Sequence, residues 1–547
     1  MVFLKNKIIV EKRFDHIFLI ILIYISLACK QENTPLQLYP VLHNNAKGVS
    51  YYINPTLGND SNDGKKPLSA WKSLFKVNYY TFQAGDSILF VNGGEWSGQL
   101  LINSSGNIEH PIYFGTYGDK NSPKPIIKGE GLTNAAILID NTASFIIVNG
   151  FKVTNFDGSD VYDGFEAKRC GIRIGSSIAD QSQICVLGNE VCLIEGFSNH
   201  PKVGSPRGTT LDPVVNNQYG NGAICVNSRN INGLTIQGNY IHDCTCTGIL
   251  VSVSKGSNNV IIRSNSVYNV GSDGIEIWHS KSPVIELNAV INAGNNCGAS
   301  LRSSGVIGVN GQSVCGIWAF YCDSPLFQYN YCEGTKRIKW DGQAWDFDLG
   351  VTGKGIYQFN FSRDNEGGFN LGGLSKEDSG FVFRYNISYN DGSKQGNSQG
   401  FFNGSSQYYN NVFYRNDEKV FHFDSYTLCN GTFKNNIFFT NVTSPINYQN
   451  QGRSFTNNCF FGHATVNPGV SAILADPLLI DPMGVLKVPA GYILTLTDFR
   501  NFFNGFKLKT ISPCKGAGLG ISNYEGFDFW GKTLISGFTN IGVDQTH

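Results

Sequence analysis

The sequence predicts an all-β solenoid, a stack of β-coils, on three observations. First, an asparagine recurs in one setting: Gly-Asn-Glu-Val at Asn189, Gly-Asn-Tyr-Ile at Asn239, Ser-Asn-Ser-Val at Asn265, Leu-Asn-Ala-Val at Asn288, then Asn330, Asn360, Asn386, Asn411 and Asn436 between aromatic or β-branched residues. The spacings are 50, 26, 23, 42, 30, 26, 25 and 25 residues, and a repeat of that length in β-forming sequence marks coils that bury their apolar faces against their neighbours. Second, the chain holds 63 Gly, 38 Phe and 25 Tyr but 2 Met, which suits coils and turns better than helices. Third, 547 residues exceed what one globular core serves well, whereas a solenoid core grows lengthwise.

The chain opens with Lys5, Lys7, Lys12 and Arg13, an apolar run from Ile17 to Leu27, and Ala28-Cys29. This reads as an export signal over residues 1–28, too short at its apolar centre for a membrane span. The Cys after Ser26-Leu27-Ala28 resembles a bacterial lipobox, so Cys29 is the expected lipid attachment site, residues 29–48 a polar tether, and the bacterial outer membrane the expected location. The whole chain has 42 basic and 42 acidic residues; residues 1–28 hold four and two of these, leaving 38 and 40. That balance provides no basic footprint for nucleic acid. Thirteen cysteines follow Cys29. The spacing of Cys244-Thr-Cys246 is wrong for zinc or redox motifs, and Cys192, Cys225 and Cys332 read as small coil-interior side chains. Cys297 with Cys315 is a candidate disulfide across a loop.

Residues 49–547 read as one solenoid domain: a capping part over 49–130, regular coils over 131–460 and a C-terminal part over 461–547. The entry segment runs Tyr51-Tyr-Ile-Asn-Pro, Trp71-Lys-Ser-Leu, Ala84-Gly-Asp-Ser-Ile-Leu-Phe, Pro111-Ile-Tyr-Phe-Gly and Pro125-Ile-Ile-Lys-Gly; the end carries Asp476-Pro-Leu-Leu, Ser512-Pro-Cys-Lys-Gly-Ala-Gly and Ile541-Gly-Val-Asp. In these runs the chain resembles bacterial right-handed parallel β-helix proteins of the pectin-lyase-like superfamily. The resemblance implies that architecture over nearly the whole chain after residue 48. It does not select a reaction, because such folds carry lyases, hydrolases, epimerases and adhesins. Asn59-Asp60-Ser61-Asn62-Asp63-Gly64 lacks EF-hand spacing and reads as a capping turn.

Stacked asparagine amides at a bend between parallel strands bond to one another and to the turn backbone, satisfying groups that would otherwise be buried without partners. Two spacings are abnormally long and place loops near 196–221 and 292–313, over one face. Long excursions from a rigid scaffold are where substrate walls are built.

The strands after these bends begin Gly171-Ile-Arg-Ile, Gly222-Ala-Ile-Cys-Val, Gly248-Ile-Leu-Val, Gly274-Ile-Glu-Ile-Trp, Gly316-Ile-Trp-Ala-Phe, Ala344-Trp-Asp-Phe-Asp and Gly368-Phe-Asn-Leu. Side chains alternate along a strand, so the outward column is expected to hold Arg173, Ile224, Leu250, Glu276, Trp318, Asp346, Asn370, Phe402 and His422. A parallel column holds Ser252, Trp278, Phe320, Asp348 and Asp424. Glu276, Asp346 and Asp348 thus stand among Trp278, Trp318 and Phe320. With strands about 4.8 Å apart, Glu276 and Asp346 lie about 10 Å apart at the backbone and Asp346 and Asp348 about 7 Å. Carboxyl pairs separated by roughly 6.5–9.5 Å suit an inverting glycosidase, and aromatic faces stack on sugar rings. A carboxyl between tryptophans is partly desolvated, which suits a general acid.

The preceding loop brings Lys336, Arg337 and Lys339 to the edge of this acidic floor, either to bind an anionic uronate or sulfate or to neutralise the acids. Asp341, Asp364 and Glu366 are candidate Ca²⁺ ligands; His279, beside Trp278, and Asn370 are candidate substrate contacts. Asp273 reads as a turn residue.

Three functions follow. The first is an exported glycoside hydrolase acting on an acidic or sulfated polysaccharide, with Glu276 and Asp346 as acid and base and Asp348 assisting, and with no cofactor. The second is a polysaccharide lyase working by β-elimination on a uronate polymer, with Ca²⁺ and Lys339 or Arg337 as base. The third is a non-catalytic glycan-binding protein. A monomer is expected.

Overall fold

The computed structural model describes residues 48–159, 168–196, 221–295, 313–338, 340–372, 380–392, 406–417, 421, 431–441, 453–462, 469–521, 526–535 and 537–546. Cys29, Lys339, His422, Phe402, Asp424, Cys297 and most of the two long loops lie outside these residues. Among the described residues, no helix is long and apolar enough to cross a membrane.

Strand pairing is parallel throughout the two large sheets, and each strand pairs with its counterpart one coil away. The larger sheet carries two faces of each coil. One runs through Ala135–Ile139, Cys170–Ile174, Gly222–Val226, Ile275–Lys281, Ile317–Phe320, Gln343–Phe347 and Gly368–Gly372; the other through Ile146–Asn149, Asp180–Leu187, Asn230–Gln237, Val284–Glu286, Leu326–Gln328 and Ile356–Gln358. The strand Thr247–Arg263 runs unbroken from one face to the other. The second sheet is the third face, from Glu95–Ser97 to Cys459–Phe461. Right-handed crossing of parallel strands makes this a right-handed parallel β-helix, the architecture that the resemblance implied.

The asparagine ladder is continuous. Asn189 Nδ2 donates to Asn239 Oδ1 at 3.0 Å, and the same bond repeats through Asn265, Asn288, Asn330, Asn360, Asn386, Asn411 and Asn436. It runs one rung further than the sequence motif suggested, to Asn458. Each rung also accepts a backbone N–H from the coil before, as Asn330 Oδ1 does from Asn288. The residue before each ladder asparagine is left-handed: Gly188, Gly238, Leu287, Tyr329, Phe359 and Tyr385 all have φ between 53° and 68°. Glycine takes this bend without strain; at the bulky positions the ladder and packing hold it.

Inside, Ile172, Ile224, Ile249, Ile275, Ile317 and Trp345 form one column. Farther along, Tyr357, Phe383, Tyr408, Phe433 and Phe455 stack with centroids 4.6–5.4 Å apart. The described residues of 469–546 cover the outer side of the third face, where Phe499 meets Tyr329 and Phe503 stacks on Phe361 at 3.9 Å. The described cysteines, Cys315 included, are buried thiols. The 59–64 segment is a capping turn: Asp60 Oδ1 accepts from the Lys72 and Ser73 N–H groups, and Asp63 Oδ1 from Lys65 N–H and Ser69 Oγ.

Candidate functional site

The outward column has a definite register. Arg173 pairs with Cys225, then Leu250, Glu276, Trp318, Asp346 and Leu371. Two positions differ from expectation. Gly222-Ala-Ile carries one more residue before its inward isoleucine than Gly171-Ile does, so Ile224 faces the core and Cys225 faces outward. Gly368, at φ 125°, pairs with Gln343 rather than Ala344. That moves Asn370 opposite Trp345 and puts Leu371 beside Asp346. Asn370 is fully buried and donates to the Tyr408 hydroxyl in the core at 3.2 Å, so this register takes it away from a substrate surface.

Upstream, beyond Arg173, Cys225 and Leu250 of this column join Ala135 and Cys170 in their own small buried cluster. Glu276 follows them and is 1% exposed. Its Oε1 accepts from Thr247 Oγ1 at 2.9 Å. Burial, reinforced by the charge of Asp273, pushes the Glu276 carboxyl well above its ordinary range, against hydrogen bonds from Thr247 and Trp278. Asp273 is also buried and reaches about 6, raised by desolvation against four hydrogen bonds. Those bonds include the Cys315 N–H at 2.7 Å and the Trp318 indole N–H at 2.9 Å on Oδ1, and Ser272 Oγ on Oδ2. The residue read as a turn former is therefore the hub of a buried carboxyl pair.

Asp346 is buried between the Trp318 and Leu371 strands, and the Tyr357 hydroxyl secures its backbone, 2.8 Å from its carbonyl oxygen and 3.2 Å from its nitrogen. Asp348 lies one residue past its strand, half-buried, with its N–H on the Ala319 carbonyl. Asp341 is also half-buried, in a left-handed conformation at φ 60° at the end of the two-residue strand Trp340–Asp341. Its carboxyl is raised to about 6, first by desolvation and then by the charge of Asp348, against a hydrogen bond from Ser313 and the charge of Arg337. Burial first, and then the charges of Asp346, Asp341, Asp273 and Asp348, push the Cys315 thiol upward. Four aspartates thus surround the bend that leads into Ile317–Phe320.

The aromatics form a contiguous floor: Trp278 and Trp318 flank Phe320 at 5.2 and 6.4 Å, and His279 stacks on Tyr321 at 5.5 Å. Trp318 is buried; Trp278, Phe320 and His279 are half-buried. Beside this floor a groove of about 740 Å³ runs over His279, Tyr321, Lys255, Lys281 and Asp323. None of the acidic cluster lines it, so the groove adjoins the carboxyls and does not enclose them.

The expected cations and metal ligands mostly serve one another. Lys336 Nζ is 3.5 Å from Glu366, whose Oε2 accepts the Arg337 N–H at 2.8 Å. Asp364 takes Arg363 Nε at 3.3 Å. Asp341, Asp364 and Glu366 therefore face different partners, and among the described residues they do not bring their oxygens to one point. Sequence reasoning passed over Thr247 and Tyr357, read Cys315 only as a disulfide candidate and set Asp273 aside; their roles depend on contacts across coils.

No protein-family profile matches the chain. It is 26% identical to the lacto-N-biosidase of Bifidobacterium longum subsp. longum over 608 aligned positions, covering 92% of this chain and 36% of that protein. The chain thus spans about a third of the length of the curated relative it matches. Two crystal structures of the GH136 lacto-N-biosidase from Eubacterium ramulus, native and selenomethionine-substituted, superpose with a TM-score of 0.55 at 22% identity, covering 70% of this chain and 66% of theirs. The chain is a right-handed parallel β-helix with the fold of those glycosidase structures.

Proposed function

We propose that this protein is a glycoside hydrolase whose reacting pair is Asp341 and Asp348. The observation that carries this reading is a pair of interacting, half-buried aspartates: Asp341 is raised to about 6, first by burial and then by the charge of Asp348. A carboxyl held protonated toward neutral pH suits a general acid, and a second carboxyl close enough to act on it suits the nucleophile or base. In this reading Asp341 donates to the leaving oxygen, Asp348 acts on the anomeric carbon or on a water, and Trp278 and Phe320 bear the sugar faces. Glu276 and Asp346 are more deeply buried and support the floor instead of touching substrate. The hydrolase reading is also supported by the similarity to lacto-N-biosidase.

The substrate we infer is a neutral glycan containing a lacto-N-biose unit, with no cofactor. An anionic polymer is less favoured because Lys336 already pairs with Glu366 and the charge of Arg337 acts on Asp341. The elimination reading, which placed Ca²⁺ among Asp341, Asp346, Asp348 and Asp364, is less favoured because Asp364 turns to Arg363. The test is incubation with p-nitrophenyl lacto-N-bioside beside a panel of pectin, alginate and sulfated glycans, following nitrophenol, reducing ends and unsaturated products together. Nitrophenol release lost in both Asp341→Asn and Asp348→Asn supports the proposal; unsaturated products from a uronate polymer overturn it. We also infer export with lipid attachment at Cys29, supported by the basic and apolar run before it; Cys29→Ala is expected to move the protein from the membrane to the soluble fraction.

A further inference from the structure

On the opposite side of the solenoid, the third face brings together donors of a different kind. Cys192 and His242 are direct partners in the parallel register of Glu190–Ile194 and Tyr240–Cys244, and Glu190 stands two residues before Cys192 on the same side. Glu190 Oε1 lies 3.5 Å from His242 Nε2 and 4.0 Å from Cys192 Sγ, and the ligand atoms of all three fall within 4.8 Å of one another. Val191 and Ile241 point into the core, so alternation turns the three donors outward.

The histidine is oriented as a ligand would be. Its Nδ1 lies 2.8 Å from Asp243 Oδ2, and Asp243 is held by Asn269. With Nδ1 turned to the Asp243 carboxylate, Nε2 faces Glu190 and Cys192. A carboxylate behind a ligating imidazole fixes its ring and tautomer. Tyr240 stacks on the ring at 4.2 Å and restricts its rotation. Cys192 is 1% exposed, whereas His242 and Glu190 keep side-chain exposures of 18% and 26%, which leaves a path for an ion. Lys152 sits on Glu190 Oε1 at 2.6 Å and Lys124 is within reach of the same carboxylate; a bound thiolate, Glu190 and Asp243 set three negative groups against these two cations. The C-terminal part packs nearby, with Gly491 against the Tyr240 ring and its N–H on Ser266.

We propose that Glu190, Cys192 and His242 form a binding site for a borderline-soft divalent cation of the Zn²⁺ type, with Asp243 as the positioning residue. Mixed N, S and O donors in a nearly closed setting select such an ion over Ca²⁺ or Mg²⁺, which take oxygen. Tetrahedral bonds of about 2.0–2.3 Å put ligand atoms roughly 3.5 Å apart, so small side-chain rotations close the site. Binding releases the Cys192 thiol proton to solvent. The site does not depend on the glycosidase reading, because no residue of the acidic cluster takes part.

Co²⁺ titration of the full-length protein tests it directly. The expected result is one equivalent bound with a thiolate-to-cobalt charge-transfer band, absent in Cys192→Ser, and at least tenfold weaker binding in His242→Gln. Asp243→Asn should weaken binding roughly 10–100-fold while keeping the band. Zn²⁺ should raise the melting temperature of the wild type and not of His242→Gln. Glu190→Gln, a change of one half-exposed side chain, serves if Cys192→Ser fails to fold, and should also weaken binding. Co²⁺ binding without a charge-transfer band, or binding unchanged in these variants, overturns the proposal.

Discussion

The indole N–H of Trp318 donates to Asp273 Oδ1 at 2.9 Å, joining a residue from the centre of the outward column to the bend one coil earlier. This bond links the aromatic floor to the buried carboxyls. The Trp318 backbone stands between Glu276 and Asp346 in register. Trp318→Phe should remove a donor from a buried acid and lower stability by roughly 2 kcal/mol. The Asp273 carboxyl should titrate further above about 6 because one of the bonds that lowers its pKa is gone. Carbon-detected NMR of the Asp side chains, together with thermal melting, checks both; unchanged titration means that the bond does not hold in solution.

Asp341→Asn and Asp348→Asn are expected to reduce hydrolysis by about 10²–10⁴-fold or more, the range supplied by a positioned acid or base. Glu276→Gln should retain most activity, since its carboxyl is buried behind Thr247 and Trp278. Initial rates for the three variants at equal folded fraction check this. The reverse ranking returns the catalytic assignment to Glu276.

The pH profile should follow Asp341. A general acid raised to about 6 is protonated below that pH, so kcat/KM should fall on the alkaline side with an apparent pKa near 6. Asp341→Asn should abolish that limb. A profile flat from pH 5 to 8 contradicts the assignment.

Stability should fall as pH rises through the same range. Asp391 is buried among Ser362, Ser388 and Asn365 and is raised from 3.8 to about 6 by desolvation. Between those values the folded protein keeps a proton that the unfolded chain has lost, so this contribution is full below about pH 4, declines toward pH 6 and is absent above it. A shift of this size corresponds to roughly 3 kcal/mol. Asp273, Asp341 and Asp528 are raised alike, so Asp391→Asn should reduce the change in denaturation midpoint between pH 4 and 7 by one such share and leave the rest.

The ladder should be most sensitive at its centre. Asn330 accepts from the backbone and side chain of Asn288 and donates to Ile285 and Asn360. Asn330→Ala leaves several buried groups without partners and should cost about 3–5 kcal/mol. Asn458→Ala, at the last rung, should cost less, as denaturant midpoints would show.

The repeat and the ladder were legible in sequence because they are periodic: each coil needs an amide at the same bend, and the need recurs along the chain. Strand alternation also identified the column that carries Glu276, Trp318 and Asp346. It misassigned Ile224 and Asn370, because alternation is counted from the start of a strand and one additional residue or a glycine at φ 125° reverses the face.

The chemistry between coils was not legible. Asp273 looked like a turn residue because its partners, Cys315 and Trp318, lie 42 and 45 positions away, and Cys192 with His242 forms no sequence motif because they meet across two coils 50 residues apart. By itself the sequence determined the parallel β-solenoid, its ladder and the region rich in acids and aromatics, since these follow from local pattern and repetition. Only the tertiary structure decided which acids are sealed, which are half-open and which donors converge, because burial and charge proximity depend on what neighbouring coils place against each side chain.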